Sequence, residues 1–337
     1  MDARGELIID WALNNKQLLN LKVKNYTWVN KWLRGFNDVL VEITIDDKKY
    51  FGRATDMSFD LAFLKAFLEA VERTFILWNS LPHSNGIAIH IKEEEAISNS
   101  VKELIERDLF FCHYLTETPF YSIPNFNQLI LSNNEVVRSI FSCLRKLESQ
   151  DILFHFLLTK QIGNYFSVVC IGDGENYSQK FGICVGMGCE TNLVHAVLKS
   201  AIECLRHVVC IIENKENSFL NLQEFLQIET HSIENQLSLA NSPNYKKILW
   251  DFTRTKENLE KDSQSDNIID SIQTSKLLVP DYLKDLPLFC YHSYSKMTQD
   301  LFFGITTNEK INYKRLSSFS MKEINFSNVF KTPHPFG

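Results

Sequence analysis

The sequence predicts a mixed α+β fold in which strands and amphipathic helices are interspersed within one domain. Apolar and polar residues alternate in short runs such as 38–54, as in half-buried strands. Apolar residues recur at helical spacing in longer runs such as 58–77. No clear linker divides the 337 residues. We therefore expect residues 1–37 to form an N-terminal segment and residues 38–337 to form a single domain.

The same patterns predict the elements in chain order. Residues 38–54 predict a β-hairpin that turns at "IDDKK", and residues 58–77 predict a helix. The remaining expected elements are a strand at 86–91, helices from Glu93 and at 129–149, strands at 152–158, 165–171 and 182–187, a helix at 193–213, a mainly helical stretch at 221–252, and strands at 287–294 and 299–306. Residues 253–276 are polar and predict an exposed, mobile segment, and residues 331–337 form a proline-containing tail.

Composition excludes several classes of protein. The net charge is −6 and no run of Lys and Arg forms a basic stripe, which argues against a nucleic-acid partner. No stretch approaches the roughly 18 apolar residues of a membrane span, and the N-terminus lacks a signal-peptide pattern. The eight cysteines form no C-x-x-C pair, so we expect buried thiols rather than a zinc site. These features predict a cytoplasmic protein that has no membrane partner.

An internal repeat is the strongest feature of the sequence. Three glycines each precede an alanine by ten residues and a glutamate by seventeen. The sets are Gly52/Ala62/Glu69, Gly86/Ala96/Glu103 and Gly186/Ala196/Glu203. Each set passes from a strand or loop into an amphipathic helix, where the glycine allows a tight turn and the alanine close packing.

Two of the copies end in an E-x-x-E-R motif. These are Glu69/Glu72/Arg73 and Glu103/Glu106/Arg107. Glutamates three residues apart lie about 60° apart around a helix, so they repel each other unless they face water or share a cation. One such motif is typical of a solvated helix face. Two motifs on equivalent helices that face each other would offer four carboxylates, which suit Mg²⁺ carrying the phosphates of a nucleotide.

With these motifs the sequence resembles the YcaO family. Residues 52–73, 84–108 and 186–203 correspond to the family's three conserved blocks, and the second block is the most specific. Residues 152–172 resemble a degenerate form of the strand, turn and strand between the second and third blocks, and a later helical stretch carries His231. The resemblance spans roughly residues 38–306 and implies a YcaO-like domain.

The resemblance implies an enzyme that activates peptide backbone amides with ATP and Mg²⁺. The amide oxygen takes a phosphoryl group and leaves as phosphate. With Cys, Ser or Thr as the nucleophile, a ribosomally made precursor peptide gains a thiazoline or oxazoline, as in bacteriocin biosynthesis. With sulfide as the nucleophile the product would be a thioamide, and with an amine it would be an amidine. Both outcomes stay open as alternatives.

Site residues follow from the resemblance by position. Mg²⁺ is assigned to Glu69, Glu72, Glu103 and Glu106, the nucleotide also to Glu95 and Arg107, and a catalytic role to Glu203, Pro333 and Pro335. Two cations are added to the nucleotide site from this sequence itself: Arg73, which ends the first motif, and Lys65, which departs from the family pattern. The prolines belong to a tail that approximates the P-x-P-x-P ending of azoline-forming members, with Gly337 at the third proline position. Such a stiff end is expected to reach the nucleotide site and orient a reacting group.

Departures from the family pattern define a further alternative. Lys65 replaces a small hydroxyl residue, and His90-Ile91-Lys92 replaces G-[ND]-[ST]. The Lys65 ammonium would either contact phosphate or block the site, and in the second case the chain would be a non-catalytic scaffold. No part of the sequence resembles a leader-binding winged helix, so we expect a leader-binding partner subunit in an oligomeric or heteromeric complex. A flavin-dependent dehydrogenase is a further candidate partner.

Overall fold

The computed structural model describes residues 3–81, 84–130, 134–213, 219–251 and 253–336. It confirms the mixed α+β class. The α-helices are α1 (Ala3–Asn14), α2 (Trp28–Trp32), α3 (Phe59–Trp78), α4 (Glu93–Thr116), α5 (Phe126–Ile130), α6 (Glu135–Glu148), α7 (Leu193–Glu213), α8 (Leu222–Leu226), α9 (Ile233–Ala240), α10 (Ser265–Ser271) and α11 (Tyr313–Ser320). The strands are β1 (Lys22–Tyr26), β2 (Asn37–Ile45), β3 (Lys48–Asp56), β4 (Ile87–His90), β5 (Leu153–Leu158), β6 (Phe166–Asp173), β7 (Ile183–Glu190), β8 (Gln273–Lys276) and β9 (Phe289–Tyr294). In the described part of the chain, no helix is long and apolar enough to cross a membrane.

The chain divides into two compact units. Unit 1 comprises residues 1–104 and 272–294, and unit 2 comprises residues 105–271 and 295–337. The first boundary falls inside helix α4, between Leu104 and Ile105, so the second E-x-x-E-R motif contributes Glu103 to unit 1 and Glu106 to unit 2. Residues 1–37, predicted as a separate segment, supply strand β1 to the same sheet as β2. The domain assignment made from the sequence stays a prediction.

An antiparallel sheet of order β1-β2-β3 organises unit 1. The expected hairpin is confirmed: β2 and β3 pair along their whole length, and the turn residues Asp46 and Asp47 have φ of 49° and 61°. Aspartate tolerates this left-handed region better than most residues. Ser58 caps the N-terminus of helix α3, because its hydroxyl accepts the Leu61 N–H. Its apolar face covers the sheet and forms the core of the unit.

A second antiparallel sheet of unit 1 has the order β4-β9-β8. Strand β8 lies within residues 253–276, which also contain helix α10 of unit 2. Most side chains of residues 253–261 are exposed, as the composition predicted, whereas Asp262, Ser265 and Ile268 are buried. The mobility of this segment stays a prediction.

Unit 2 contains the third sheet, β5-β6-β7, which helix α7 covers. The predicted strand at 299–306 is wrong. Its backbone groups bond to side chains instead of a neighbouring strand: the Gln299 N–H donates to Asp108, and the Gly304 N–H donates to Gln236. Gly304 also has a φ of +83°, which interrupts an extended conformation.

The repeat seen in the sequence places two glycines identically in the two units. A Cβ on Gly52 of β3 would lie 2.0 Å from the Ala66 carbonyl oxygen of α3. A Cβ on Gly186 of β7 would lie 2.3 Å from the Ser200 carbonyl oxygen of α7. Both glycines therefore let a helix pack directly on a strand backbone. Gly86 differs, because it forms a turn with a φ of +69° before β4 and faces Ser293 of β9.

Candidate functional site

Two of the predicted site glutamates each form a hydrogen bond that joins a helix to a strand. The Arg53 N–H donates to Glu69 Oε2 at 2.9 Å, and the Met187 N–H donates to Glu203 Oε2 at 2.7 Å. In each case the donor is the residue after the repeat glycine. Glu69 and Glu203 are thus equivalent in the two units, and part of their hydrogen-bonding capacity serves the packing of α3 on β3 and of α7 on β7.

A cavity of about 410 Å³ in unit 1 brings several predicted residues together. Glu69, Glu72 and Lys65 line it from α3. His90 and Lys92 line it from the end of β4 and the residues after it, and Asn99 lines it from α4. This volume is within the usual range for small-molecule sites, roughly 300–1,000 Å³.

Charge is concentrated around Glu72. Burial, and after it the nearby charge of Glu103, raises the pKa of Glu72 to about 8. The Ile89 N–H of β4 donates to this carboxylate and partly offsets the shift. The neighbouring Arg73 is 3.6 Å from Glu69, and the charges of Glu72 and Glu69 raise its pKa. The repulsion expected within a motif is present between Glu69 and Glu72, and the charge of Glu103 from the second motif adds to it inside unit 1.

Lys65 lines this cavity but has an acidic partner outside it. Its ammonium is 2.6 Å from Asp56 Oδ2, and 58% of its side chain is exposed. An exposed ion pair of this kind contributes about 1 kcal/mol or less, so the ammonium can exchange Asp56 for another anion at small cost. Glu95, by contrast, is exposed in the first turn of α4 and is not among the residues that line the cavity.

Glu106 lies in a second cluster, in unit 2. Glu106 is 5% exposed, and the Cys189 N–H donates to its carboxylate. Its Oε2 atom lies 3.8 Å from the Lys199 ammonium and has no hydrogen-bond partner. Burial raises the pKa of Glu106, while Lys199 and Arg107 oppose that shift. Glu106, which is buried, and Glu72, which is partly buried, therefore each accept one strand N–H.

Unit 2 also fixes the C-terminal tail, whose residues Pro333 to Phe336 are buried. The Tyr114 hydroxyl donates to the Pro333 carbonyl at 3.0 Å, and the Tyr245 hydroxyl donates to the same oxygen. The Gln236 amide donates to the His334 carbonyl. The Arg107 guanidinium lies 3.9 Å from the centre of the Phe336 ring. Gly337 lies outside the described residues.

Comparison with known proteins gives the family. A family model described as YcaO cyclodehydratase, ATP- and Mg²⁺-binding, matches residues 78–278, more than half of the chain. The chain belongs to the YcaO family. It is accordingly an ATP-dependent cyclodehydratase, and its cofactors are ATP and Mg²⁺. A search of curated protein sequences gave no match.

Solved structures share the YcaO fold at low sequence identity. YcaO from Methanopyrus kandleri, bound with AMPPCP and Mg²⁺, is 11% identical with a TM-score of 0.58, and the match covers 88% of this chain and 91% of that one. A heterocyclase in complex with substrate and cofactor is 10% identical with a TM-score of 0.61. That match covers 97% of this chain and 57% of the heterocyclase, so this YcaO protein spans little more than half of the heterocyclase's length.

The donor set fits the Mg²⁺ and ATP that the YcaO family implies. Within the described residues, no three His, Cys, Asp or Glu side chains are placed to hold a metal ion together. Mg²⁺ usually takes only one or two carboxylates and completes its coordination with water and phosphate oxygens. A partly buried Glu72 beside the charge of Glu103 meets this need, because a bound cation would offset the burial and the repulsion that together raise the pKa of Glu72.

Sequence reasoning missed two residues near these carboxylates. Asn99 lies one helical turn before Glu103 on α4 and lines the unit 1 cavity. Lys199 lies beside Glu106 and occupies the position of α7 that Lys65 occupies on α3, thirteen residues after the repeat glycine. The equal spacing of Lys65 and Lys199 from their repeat glycines is a signal in the sequence that could have identified Lys199.

Proposed function

We propose that this YcaO protein converts Cys, Ser or Thr residues of a ribosomally made precursor peptide into thiazolines or oxazolines. The side-chain sulfur or oxygen bonds to the carbonyl carbon of the preceding amide and loses its proton. ATP supplies the phosphoryl group that turns the amide oxygen into a leaving group. The amide nitrogen loses its proton as the C=N bond forms, so the peptide loses one water while ATP becomes ADP and phosphate.

The acidic cavity of unit 1 is the observation that carries this proposal. Glu69 and Glu72 of the first E-x-x-E-R motif line a space of about 410 Å³, and Glu103 of the second motif acts on Glu72 through its charge. A metal-bound polyphosphate would stabilise the ionised carboxylates better than water alone, because it brings a cation into a partly desolvated cavity.

We assign roles to the chain's residues on this basis. We propose that Mg²⁺ is held by carboxylates of the two motifs, one or two per ion: Glu69, Glu72 and Glu103 in unit 1 and Glu106 in unit 2. The phosphates would be approached by Lys65 and Arg73 of unit 1 and by Arg107 of unit 2. Glu95, exposed on α4, is assigned to the nucleotide by family resemblance alone. Glu203 accepts the Met187 N–H, so we propose that it contributes to catalysis by holding α7 in position on β7.

The proposal includes a partner that presents the peptide. The heterocyclase with a similar fold was solved in complex with its substrate. We propose that a leader-binding subunit brings the precursor peptide to this chain in a heteromeric complex and that a flavin-dependent dehydrogenase can oxidise the azoline. Affinity purification of the tagged chain from its source cells, followed by identification of the bound proteins, tests this part.

Mass spectrometry of the peptide tests the reaction. The chain, its partner subunit and the precursor peptide are incubated with Mg²⁺-ATP, and we expect each modified residue to lose the mass of one water with release of one ADP. Fragmentation should place the change at a Cys, Ser or Thr and the preceding carbonyl. Exchange of oxygen for sulfur, or addition of an amine at the same carbonyl, would show the thioamide or amidine outcome and contradict azoline formation.

A further inference from the structure

The arginines of the two E-x-x-E-R motifs have different surroundings in the structure. Arg73 is 37% exposed and is paired with Glu69 on its own helix. The Arg107 guanidinium lies 3.9 Å from the centroid of the Phe336 ring, an arrangement that attracts a cation to the face of an aromatic ring. Phe336 is only 3% exposed, so this attraction is poorly screened by water.

The tail holds the Phe336 ring firmly. Hydroxyl groups of Tyr114 and Tyr245 both donate to the Pro333 carbonyl, and the Gln236 amide donates to the next carbonyl. The His334 ring contacts the Phe302 carbonyl at 2.5 Å and also accepts the Phe336 N–H at 3.3 Å. The Phe110 ring, one turn after Arg107 on α4, is 6.0 Å from the Phe336 ring. The aromatic ring is therefore anchored independently of the arginine.

We propose that Phe336 is a positioning residue that fixes the Arg107 guanidinium for nucleotide binding. A long arginine side chain loses rotamer entropy when it binds a phosphate, and stacking on a fixed ring removes part of that loss beforehand. The tail then acts on the nucleotide through one side chain, without touching the nucleotide itself. This inference rests on the proposed place of Arg107 in the nucleotide site.

Fluorinated phenylalanines at position 336 test the role of the ring. Successive fluorine atoms weaken the attraction of the ring face for a cation and hardly change its shape. We expect the Kd for Mg²⁺-AMPPCP, measured by titration calorimetry on the full chain, to rise stepwise with fluorination. Phe336→Leu should raise the Kd about tenfold, because the ring is lost and an apolar contact is kept. The same fluorinated residues at Phe330, which packs against Tyr114, should leave the Kd unchanged.

A second readout does not depend on the nucleotide. The Nε–H proton of Arg107 should resonate upfield in the NMR spectrum of the wild-type chain and return toward its usual position in Phe336→Leu. An unshifted Arg107 signal in the wild-type chain would overturn the stacking. A normal Kd across the fluorinated series, with nucleotide bound by the wild-type chain, would overturn the positioning role alone. Loss of nucleotide binding by the wild-type chain itself would contradict the proposed function as well.

Discussion

Glutamates that look alike in the sequence differ at the scale of single residues. Glu69 and Glu203 each accept a strand N–H from the residue after a repeat glycine, and both remain half-buried. Burial is the main cause that raises the pKa of Glu72 and the pKa of Glu106. The second pair therefore gains most from a bound cation, whereas the first pair also holds the scaffold together.

Glu103→Gln and Glu106→Gln are expected to abolish peptide modification and leave the fold intact or slightly more stable. Glu103→Gln removes a charge that repels Glu72, and Glu106→Gln removes a carboxylate whose pKa burial raises. Both changes keep the size of the side chain. Turnover by mass spectrometry and Tm by calorimetry check both parts. Glu257→Gln, at an exposed position that does not line the cavity, should change neither quantity. Full modification by Glu103→Gln or Glu106→Gln would contradict the metal assignment.

Acid should destabilise unit 2 through His334. Burial, with the nearby positive charges of Arg107 and Lys310, lowers the pKa of His334 to about 4, whereas an unfolded histidine titrates near 6.5. Between these values the unfolded chain binds more protons, so the free energy of unfolding falls as pH decreases from about 6.5 to 4. The full contribution is on the order of 3 kcal/mol.

Chemical unfolding of the wild-type chain and of His334→Gln at several pH values measures this contribution. The glutamine variant should lose part of the pH dependence in that window, because it cannot be protonated there. His113, whose pKa burial lowers to about 3, provides a similar contribution that the variant keeps. Identical pH profiles for the two proteins would show that His334 is not buried in its neutral form.

At the scale of elements, the repeat glycines determine how close helix and strand can come. Gly52→Ala and Gly186→Ala should each lower the free energy of unfolding by 3 kcal/mol or more, roughly, since the new methyl group would meet helix backbone at 2.0–2.3 Å. Gly35→Ala is the comparison, because a Cβ at Gly35 would have no heavy atom within 4 Å. Only the backbone φ of +85° opposes this substitution. It should cost about 1 kcal/mol. Denaturant melts that rank Gly35→Ala as the most costly change would contradict this packing.

Elements were predictable from the sequence where local patterns decide them. The hairpin, α3 and α7 matched their predicted spans because alternation, helical spacing and short turns are local signals. The strand predicted at 299–306 failed because apolar runs do not reveal that distant side chains, such as Asp108 and Gln236, take its backbone N–H groups. Gly86 shared the spacing of the repeat but not its geometry, since its neighbour β9 comes about 200 residues later.

At the scale of the whole molecule, the N-terminal residues are part of unit 1. Strand β1 pairs with β2, and Ile8, Ala12 and Leu19 belong to the buried core. Deleting residues 1–26 should therefore lower the Tm and the soluble yield, because it exposes the edge of β2 and removes core side chains. Thermal unfolding of the shortened chain measures this. An unchanged Tm would mean that residues 1–37 are a separate segment without a structural role.

The candidate site was predictable in its residue types and less so in its arrangement. The spacing of the two E-x-x-E-R motifs alone indicated which carboxylates belong to the site. The family resemblance indicated that the ligands are ATP and Mg²⁺. The partners of the tail were not predictable, because Tyr114 and Tyr245 contact Pro333 across 219 and 88 residues of chain. The division of one E-x-x-E-R motif between two units was hidden for the same reason: it depends on which distant segments pack against each half of α4.

Mg²⁺-dependent binding of ATP is the most direct test of a metal held by the carboxylates of unit 1. The measurement is the thermal shift that ATP produces with Mg²⁺ and with a chelator, for the wild-type chain and for Glu72→Gln. We expect ATP to stabilise the wild-type chain only when Mg²⁺ is present, because uncompensated carboxylates repel the phosphates. We also expect a much smaller shift for Glu72→Gln. Equal shifts with and without Mg²⁺, or an unaltered shift in the variant, would contradict a carboxylate-held metal in this cavity.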